Sequence, residues 1–178
     1  MSQPFRRVVT GRDDQGKSIF LIDDRAPHVF TRGAAGVVVR DLWETDACPA
    51  DNGGHDDAVK GPFHLAPPSG GSIFRVIEYP PDAQRLPAIA AQSSADMTAS
   101  GMAAARQGGG GRHPGFHKTD TIDYVIVLSG EIWALMDEGE TLLRAGDTLV
   151  QRGTNHAWSN RSNASAFLAF VLIDALPV

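Results

Sequence analysis

From Gly115 to Ile173 the chain is cut into short runs of β-forming residues, each closed by a tight-turn signal. The runs read "GFHKT", "TIDYVIVL", "EIWALM", "ETLLR", "DTLVQR", "HAWSN" and "SAFLAFVLI", and the punctuation between most of them reads "SG", "DEGE", "AGD", "GTN" and "RSN". Many short strands with tight turns between them point to an antiparallel sandwich or barrel. The spacing predicts strands over 115–119, 122–128, 131–136, 140–144, 147–151, 156–160 and 165–173.

The first half has the same rhythm at lower density. "RVVT" and "SIFLI" flank "GRDDQGK" and read as a hairpin, while "GVVVRDLWETD" and "SIFRVIEYPPD" read as two further strands, the second stopped by Pro80-Pro81. Between them "CPADNGGHDDAVKGPFHLAPPSGG" has no period and reads as a long loop. Within it, His55, Asp56 and Asp57 read as solvated, and "DNGGHDD" lacks the spacing of a calcium loop. Residues 83–112 turn Ala-rich, with Ser94 as an N-cap and Asp96 in the first turn of one short helix, then the glycines before Arg112 as a hinge. No Gly-Lys-Ser/Thr follows those glycines, so they are a linker and not a phosphate loop. The organisation expected is therefore 1–82 as N-terminal extension and first barrel strands, 83–112 as helix and hinge, and 113–178 as the barrel, all in one structural domain.

Composition narrows the function. At 178 residues there is room for one well-buried core, and 42% hydrophobic residues are globular. Sixteen Lys and Arg against 21 Asp and Glu leave a net charge of −5 with no basic stripe, which excludes nucleic acid and anionic membrane surfaces as expected partners. The lone Cys48 rules out an intrachain disulfide framework and fits a reducing compartment. No apolar h-region follows Arg6 and Arg7, and no run reaches the about 18 apolar residues of a membrane span, so the expectation is a soluble cytoplasmic protein. There is no Gly-x-Ser-x-Gly elbow and no dinucleotide fingerprint after a strand.

The stretch "HPGFHKTDTIDYVIVLSGE" carries the chemistry. On one straight strand His117 and Asp123 would stand about 20 Å apart, beyond any shared ion, so the chain must turn between them if they act together. "TDT" at 119–121 is a suitable turn, because Asp and Thr side chains bond the nearby backbone. His113 would lie about 13 Å from His117 on an extended chain, a poor substitute ligand. A later partner comes from "GDTLVQRGTNHAWSN", which holds His156 and Asn160. The residues around Trp133 and Trp158 read as core or pocket wall, and His28 and His64 carry no signal.

These two stretches resemble the paired motifs of the cupin superfamily. Gly111, His117, Thr119, Asp123 and Gly130 fall at the spacing of the first motif, G-x5-H-x-H-x3,4-E-x6-G. Gln151, Gly153, His156 and Asn160 fall on the second, P-x-G-x2-H-x3-N. The resemblance covers Gly111 to Asn160 and implies an all-β antiparallel jelly-roll barrel, here with an N-terminal strand-rich extension and one short helix. It implies a homodimer, with the N-terminal segment covering a barrel edge, and a divalent metal such as iron, zinc, manganese or nickel in the barrel mouth. The ligands it implies are His117, Asp123 and His156; Thr119, Thr121 and Trp158 line the pocket. The chain departs from the motif where Thr119 replaces a histidine and Asp123 a glutamate. Two imidazoles and one carboxylate suit a non-haem iron or a zinc site with open positions. The function expected is action on a small oxygenated organic molecule, dioxygenase-like or lyase/isomerase-like. Two alternatives use the same residues: a metal-free ligand-binding barrel without turnover, and a metal-free His/Asp acid–base enzyme.

Overall fold

The computed structural model describes residues 5–32, 36–90 and 112–178. Among them run β1 (Arg6–Arg12), β2 (Ser18–Arg25), β3 (His28–Arg32), β4 (Val37–Thr45), β5 (Ser72–Tyr79), α1 (Asp82–Ala90), β6 (Thr121–Ser129), β7 (Glu131–Met136), β8 (Glu140–Arg144), β9 (Thr148–Arg152), β10 (His156–Ser159) and β11 (Ala166–Asp174). A six-stranded sheet of order β3-β4-β5-β11-β6-β9 packs against a three-stranded sheet of order β10-β7-β8, with every pairing antiparallel.

Alternation explains the layering. Along β6, Thr121, Asp123, Val125 and Val127 are buried while Tyr124, Ile126 and Leu128 are exposed, the period of two that puts one set of side chains inside. The inner set joins Val37, Val39, Ile73, Leu168, Phe170 and Leu172 of the same sheet, and meets Ile132, Ala134, Leu143 and Trp158 of the other, in one core. At the β6–β7 turn Gly130 has φ 74°, and a Cβ there would stand 3.0 Å from the Ala166 Cα, so only glycine fits both the turn and the neighbouring strand.

The N-terminal hairpin β1–β2 pairs only with itself among the described strands. It does not cover a barrel edge within the chain, as the sequence reading expected, but lies over the outer face of the large sheet. There Phe5 packs against Ala26, Leu42, Val76 and Ala169. Its anchor is Arg7, a side chain only 4% exposed, which reaches Asp24 at 2.8 Å, Asp57 at 2.8 Å and the Leu42 carbonyl at 3.1 Å. Asp57 also bonds His28 at 3.1 Å. The solvated-loop reading holds for His55 and Asp56, which are exposed, and is corrected for Asp57: the buried Arg7 holds its carboxylate onto the hairpin, because a guanidinium out of water needs a partner, and His28, which carried no signal in the sequence, joins it.

The predicted strand at 115–119 does not form. Only His117 pairs, as an isolated antiparallel bridge to His156. Pro114 lacks an N–H, and the Phe116 amide turns back to the His113 carbonyl at 3.3 Å, so the ladder is confined to one residue pair. The helix begins at Asp82, and the Ser94 cap, Asp96, the glycine run and Gly111 lie outside the described residues. Among the described residues no helix is long and apolar enough to cross a membrane. Cys48 is a free, exposed thiol.

Candidate functional site

His117 and His156 are brought together by backbone before side chains act. Each donates its amide to the other's carbonyl at 2.9 Å, the hydrogen-bonded pair of an antiparallel bridge, which sets both side chains on one face. The rings stand 4.4 Å apart between centroids at 47°. Both rings are oriented in the same way: His117 Nδ1 lies 2.9 Å from the Gly115 carbonyl and His156 Nδ1 lies 2.9 Å from the Thr154 carbonyl. A carbonyl only accepts, so each Nδ1 carries a proton, and in the neutral ring it is Nε2 that keeps the lone pair. His156 is 3% exposed, and burial lowers its pKa against a smaller opposing effect of the Thr154 carbonyl, which keeps the ring neutral.

The predicted turn between His117 and Asp123 is present. The chain bends at Asp120, the Thr119 and Thr121 hydroxyls stand 2.8 Å apart, and β6 starts at Thr121. Asp123 points into the barrel, 4% exposed, with Oδ1 buried and without a hydrogen-bond partner. Burial pushes its carboxyl up to about 6, against a hydrogen bond from Thr121 and the distant charge of Arg75, which favour the ionised form. Its pleat neighbour on β9 is Gln151, also buried, whose amide donates to the Thr154 carbonyl that holds His156.

The three expected metal ligands are therefore not gathered alike. The imidazoles pair, but among the described residues no three His, Cys, Asp or Glu side chains are grouped to hold one ion. Trp158 lines the interior beside them, edge-on to His156 at 5.9 Å and to Phe170 at 5.6 Å. Thr119 is half-buried and spends its hydroxyl on Thr121. Asn160, fully buried, works as a turn organiser: its amide donates to the Tyr79 and Ala164 carbonyls at 2.8 Å, and its oxygen accepts from Ser162.

Sequence reasoning missed three polar groups of the interior. Arg75 is 2% exposed and pairs with Asp41 on the adjacent strand, its Nε 2.9 Å from Oδ1 and its Nη2 donating to Oδ2 at 3.3 Å, while it also donates to the His64 carbonyl and stacks over Phe63 at 4.9 Å. Tyr79 is buried on the same face, and burial pushes its hydroxyl up to about 12. The signal was available: "SIFRVIEY" alternates, so Ile73, Arg75, Ile77 and Tyr79 share the inward face.

No family model matches the chain. Curated relatives do. The chain is 30% identical over 181 residues to phomopsin biosynthesis cluster protein C' of Diaporthe leptostromiformis, a match over 97% of this chain and 79% of that protein. It is 29% identical over 181 residues to a cupin-domain-containing oxidoreductase of Neurospora crassa, over 97% of this chain and 76% of that one. A cupin-domain-containing oxidoreductase of Aspergillus ruber is 27% identical over 177 residues, covering 94% and 71% respectively.

Proposed function

Since the chain belongs to the cupin superfamily, we propose that it works as an oxidoreductase-type barrel on a small oxygenated organic molecule, with the paired imidazoles of His117 and His156 as the working centre. The observation that carries this reading is the tethering of both Nδ1 atoms to backbone carbonyls, which aims two unprotonated Nε2 atoms from one face. Such orientation by a carbonyl is the usual companion of metal-ligating histidine. The pair fits two positions of a divalent ion such as iron, zinc, manganese or nickel, and a bound ion would supply Lewis-acid or dioxygen chemistry with positions left for substrate. Asp123, its carboxyl raised by burial to about 6 and so brought close to the neutral range, suits proton exchange with substrate. Thr121 favours its ionised form, and Trp158 walls the interior beside His156.

A second reading uses the same side chains without metal, as a His/Asp acid–base site. It is favoured by the lack, among the described residues, of a third side chain grouped with the two imidazoles. Elemental analysis of protein purified without a metal-affinity tag, followed by Co²⁺ titration, separates them. The metal reading expects uptake of about one ion per chain, falling as pH drops through the imidazole range. His156→Ala should weaken it by more than Thr119→Ala. No uptake, together with turnover indifferent to chelator, overturns the metal reading in favour of the acid–base one; no turnover at all leaves a binding barrel.

A further inference from the structure

His113, a poor substitute ligand on the sequence reading, lies two residues before the glycine whose carbonyl accepts from His117. The two rings bracket Gly115. The Gly115 N–H donates to His113 Nδ1 at 3.0 Å, while the Gly115 carbonyl accepts from His117 Nδ1 at 2.9 Å. These two groups belong to different peptide units hinged at the Gly115 Cα, so one bond alone would not fix the other. His113 holds the second unit as well, because its own carbonyl accepts the Phe116 N–H at 3.3 Å, and that N–H shares a peptide plane with the Gly115 carbonyl. The fit is close: a Cβ on Gly115 would stand 3.0 Å from His113 Nδ1 and 3.1 Å from Cε1.

The His113 ring is itself held from behind. With Nδ1 accepting an amide, the neutral ring carries its proton on Nε2, which is buried without a hydrogen-bond partner and lies 3.7 Å from Asp82 Oδ2. Asp82, the first residue of α1, is rigidly placed: it accepts from Arg85 Nε at 2.8 Å, from Ser159 Oγ at 2.6 Å and from the Asn160 amide at 3.0 Å. Burial works against its ionisation, yet contacts with His113, Ser159 and Arg85 outweigh it and hold the carboxyl down at about 2. A fixed negative charge thus faces the Nε2 proton of His113.

We propose that His113, braced by Asp82, is a positioning residue for His117: its ring pins the Gly115 N–H and its main-chain carbonyl the Phe116 N–H, and together they hold the Gly115 carbonyl toward His117 so that its Nδ1 carries the proton. This rests on the reading of His117 as a working imidazole, but its test does not depend on turnover.

Ring nitrogen NMR on the isotopically labelled full chain reads the tautomer directly. In the parent protein His117 should be protonated at Nδ1 alone. In His113→Leu, which removes the ring acceptor and leaves the turn only its main-chain bond from Phe116 at 3.3 Å, His117 should populate both tautomers, and Co²⁺ affinity should fall by about tenfold, the usual scale for an outer-shell partner. His113→Asn should restore both, because its side-chain oxygen can take the place of Nδ1 as acceptor for the Gly115 amide. Should His113→Leu not fold, His113→Gln carries the same comparison, since it can reach Asp82 but not the Gly115 amide. An unchanged His117 tautomer and unchanged Co²⁺ affinity in a folded variant would overturn the proposal. A parent protein that binds no Co²⁺ but shows the tautomer shift in the variant would sink the metal reading and leave the positioning role standing.

Discussion

Asp123 shows how a single inward-facing position couples ionisation to stability. Its carboxyl rises from 3.8 to about 6 on folding because burial strips the charged form of water. The folded state then holds the proton more tightly than the unfolded one. The stability this group contributes is complete below about 3.8 and is lost as pH rises through about 6. Asp123→Asn, studied with chelator present, should therefore be more stable than the parent near pH 8 by on the order of 2–3 kcal/mol. The advantage should shrink toward zero near pH 4. Denaturant midpoints at the two pH values check this, and an equal gap at both would refute it. His156 runs the opposite way: its lowered pKa makes its neutral form part of the fold, so stability falls as acid charges it.

At the scale of elements, the hairpin β1–β2 is joined to the body by the buried cation of Arg7 beside the apolar packing of Phe5. A two-stranded hairpin is marginal alone, so its attachment decides whether it is ordered. Arg7→Leu would strand Asp24 and Asp57 without their guanidinium; a broken buried pair costs about 3–5 kcal/mol, and the exposure of Asp24 at 37% and Asp57 at 28% puts this one at the lower end. The expected readout is a lower urea midpoint together with faster proteolysis between residues 46 and 71. Cleavage and midpoint both unchanged would mean that Phe5 and Ala26 suffice. In the turn between β6 and β7, Gly130→Ala meets both a positive φ of 74° and the Ala166 Cα, and should destabilise by about 1–3 kcal/mol in thermal unfolding. Gly139→Ala, at φ 84° with nothing within 4 Å, is the control that isolates the backbone contribution.

The whole molecule carries an apolar row across the outside of its large sheet. Phe74, Val171, Tyr124 and Val150 are consecutive cross-strand partners on β5, β11, β6 and β9. Phe74, Tyr124 and Val150 are 41%, 50% and 58% exposed, and Phe20 on β2 is 75% exposed. A contiguous apolar patch of this kind marks an interaction surface, and a chain that presents both an exposed hairpin and an exposed sheet face can cover each with the other about a two-fold axis. We expect a homodimer. Sedimentation at micromolar concentration should show it, and Phe20→Glu should shift the population to monomer. A parent protein that sediments as monomer would rule the assembly out.

Strand positions from β4 to β11 were legible because alternation and turn glycines are local signals, written within a few residues of the structure they cause. So were the residues of both motifs, and the bend between His117 and Asp123, since Thr and Asp side chains bond backbone close to themselves. The failure at 115–119 has an equally local cause in Pro114 and the His113 turn, which the residue pattern of a strand concealed. What no local signal contains is which strands become neighbours. The bridge that pairs His117 with His156, the burial of Asp123 on the inward face of β6, and the return of His113 onto Asp82 all depend on strand order and register across the barrel. Protonation states were likewise decided in three dimensions. Asp82 and Asp123 are the same residue type, yet one is held at about 2 by three fixed donors and the other lifted to about 6 by burial. Sequence determined which chemical groups were available; only folding determined how much water each one kept and which partner it met.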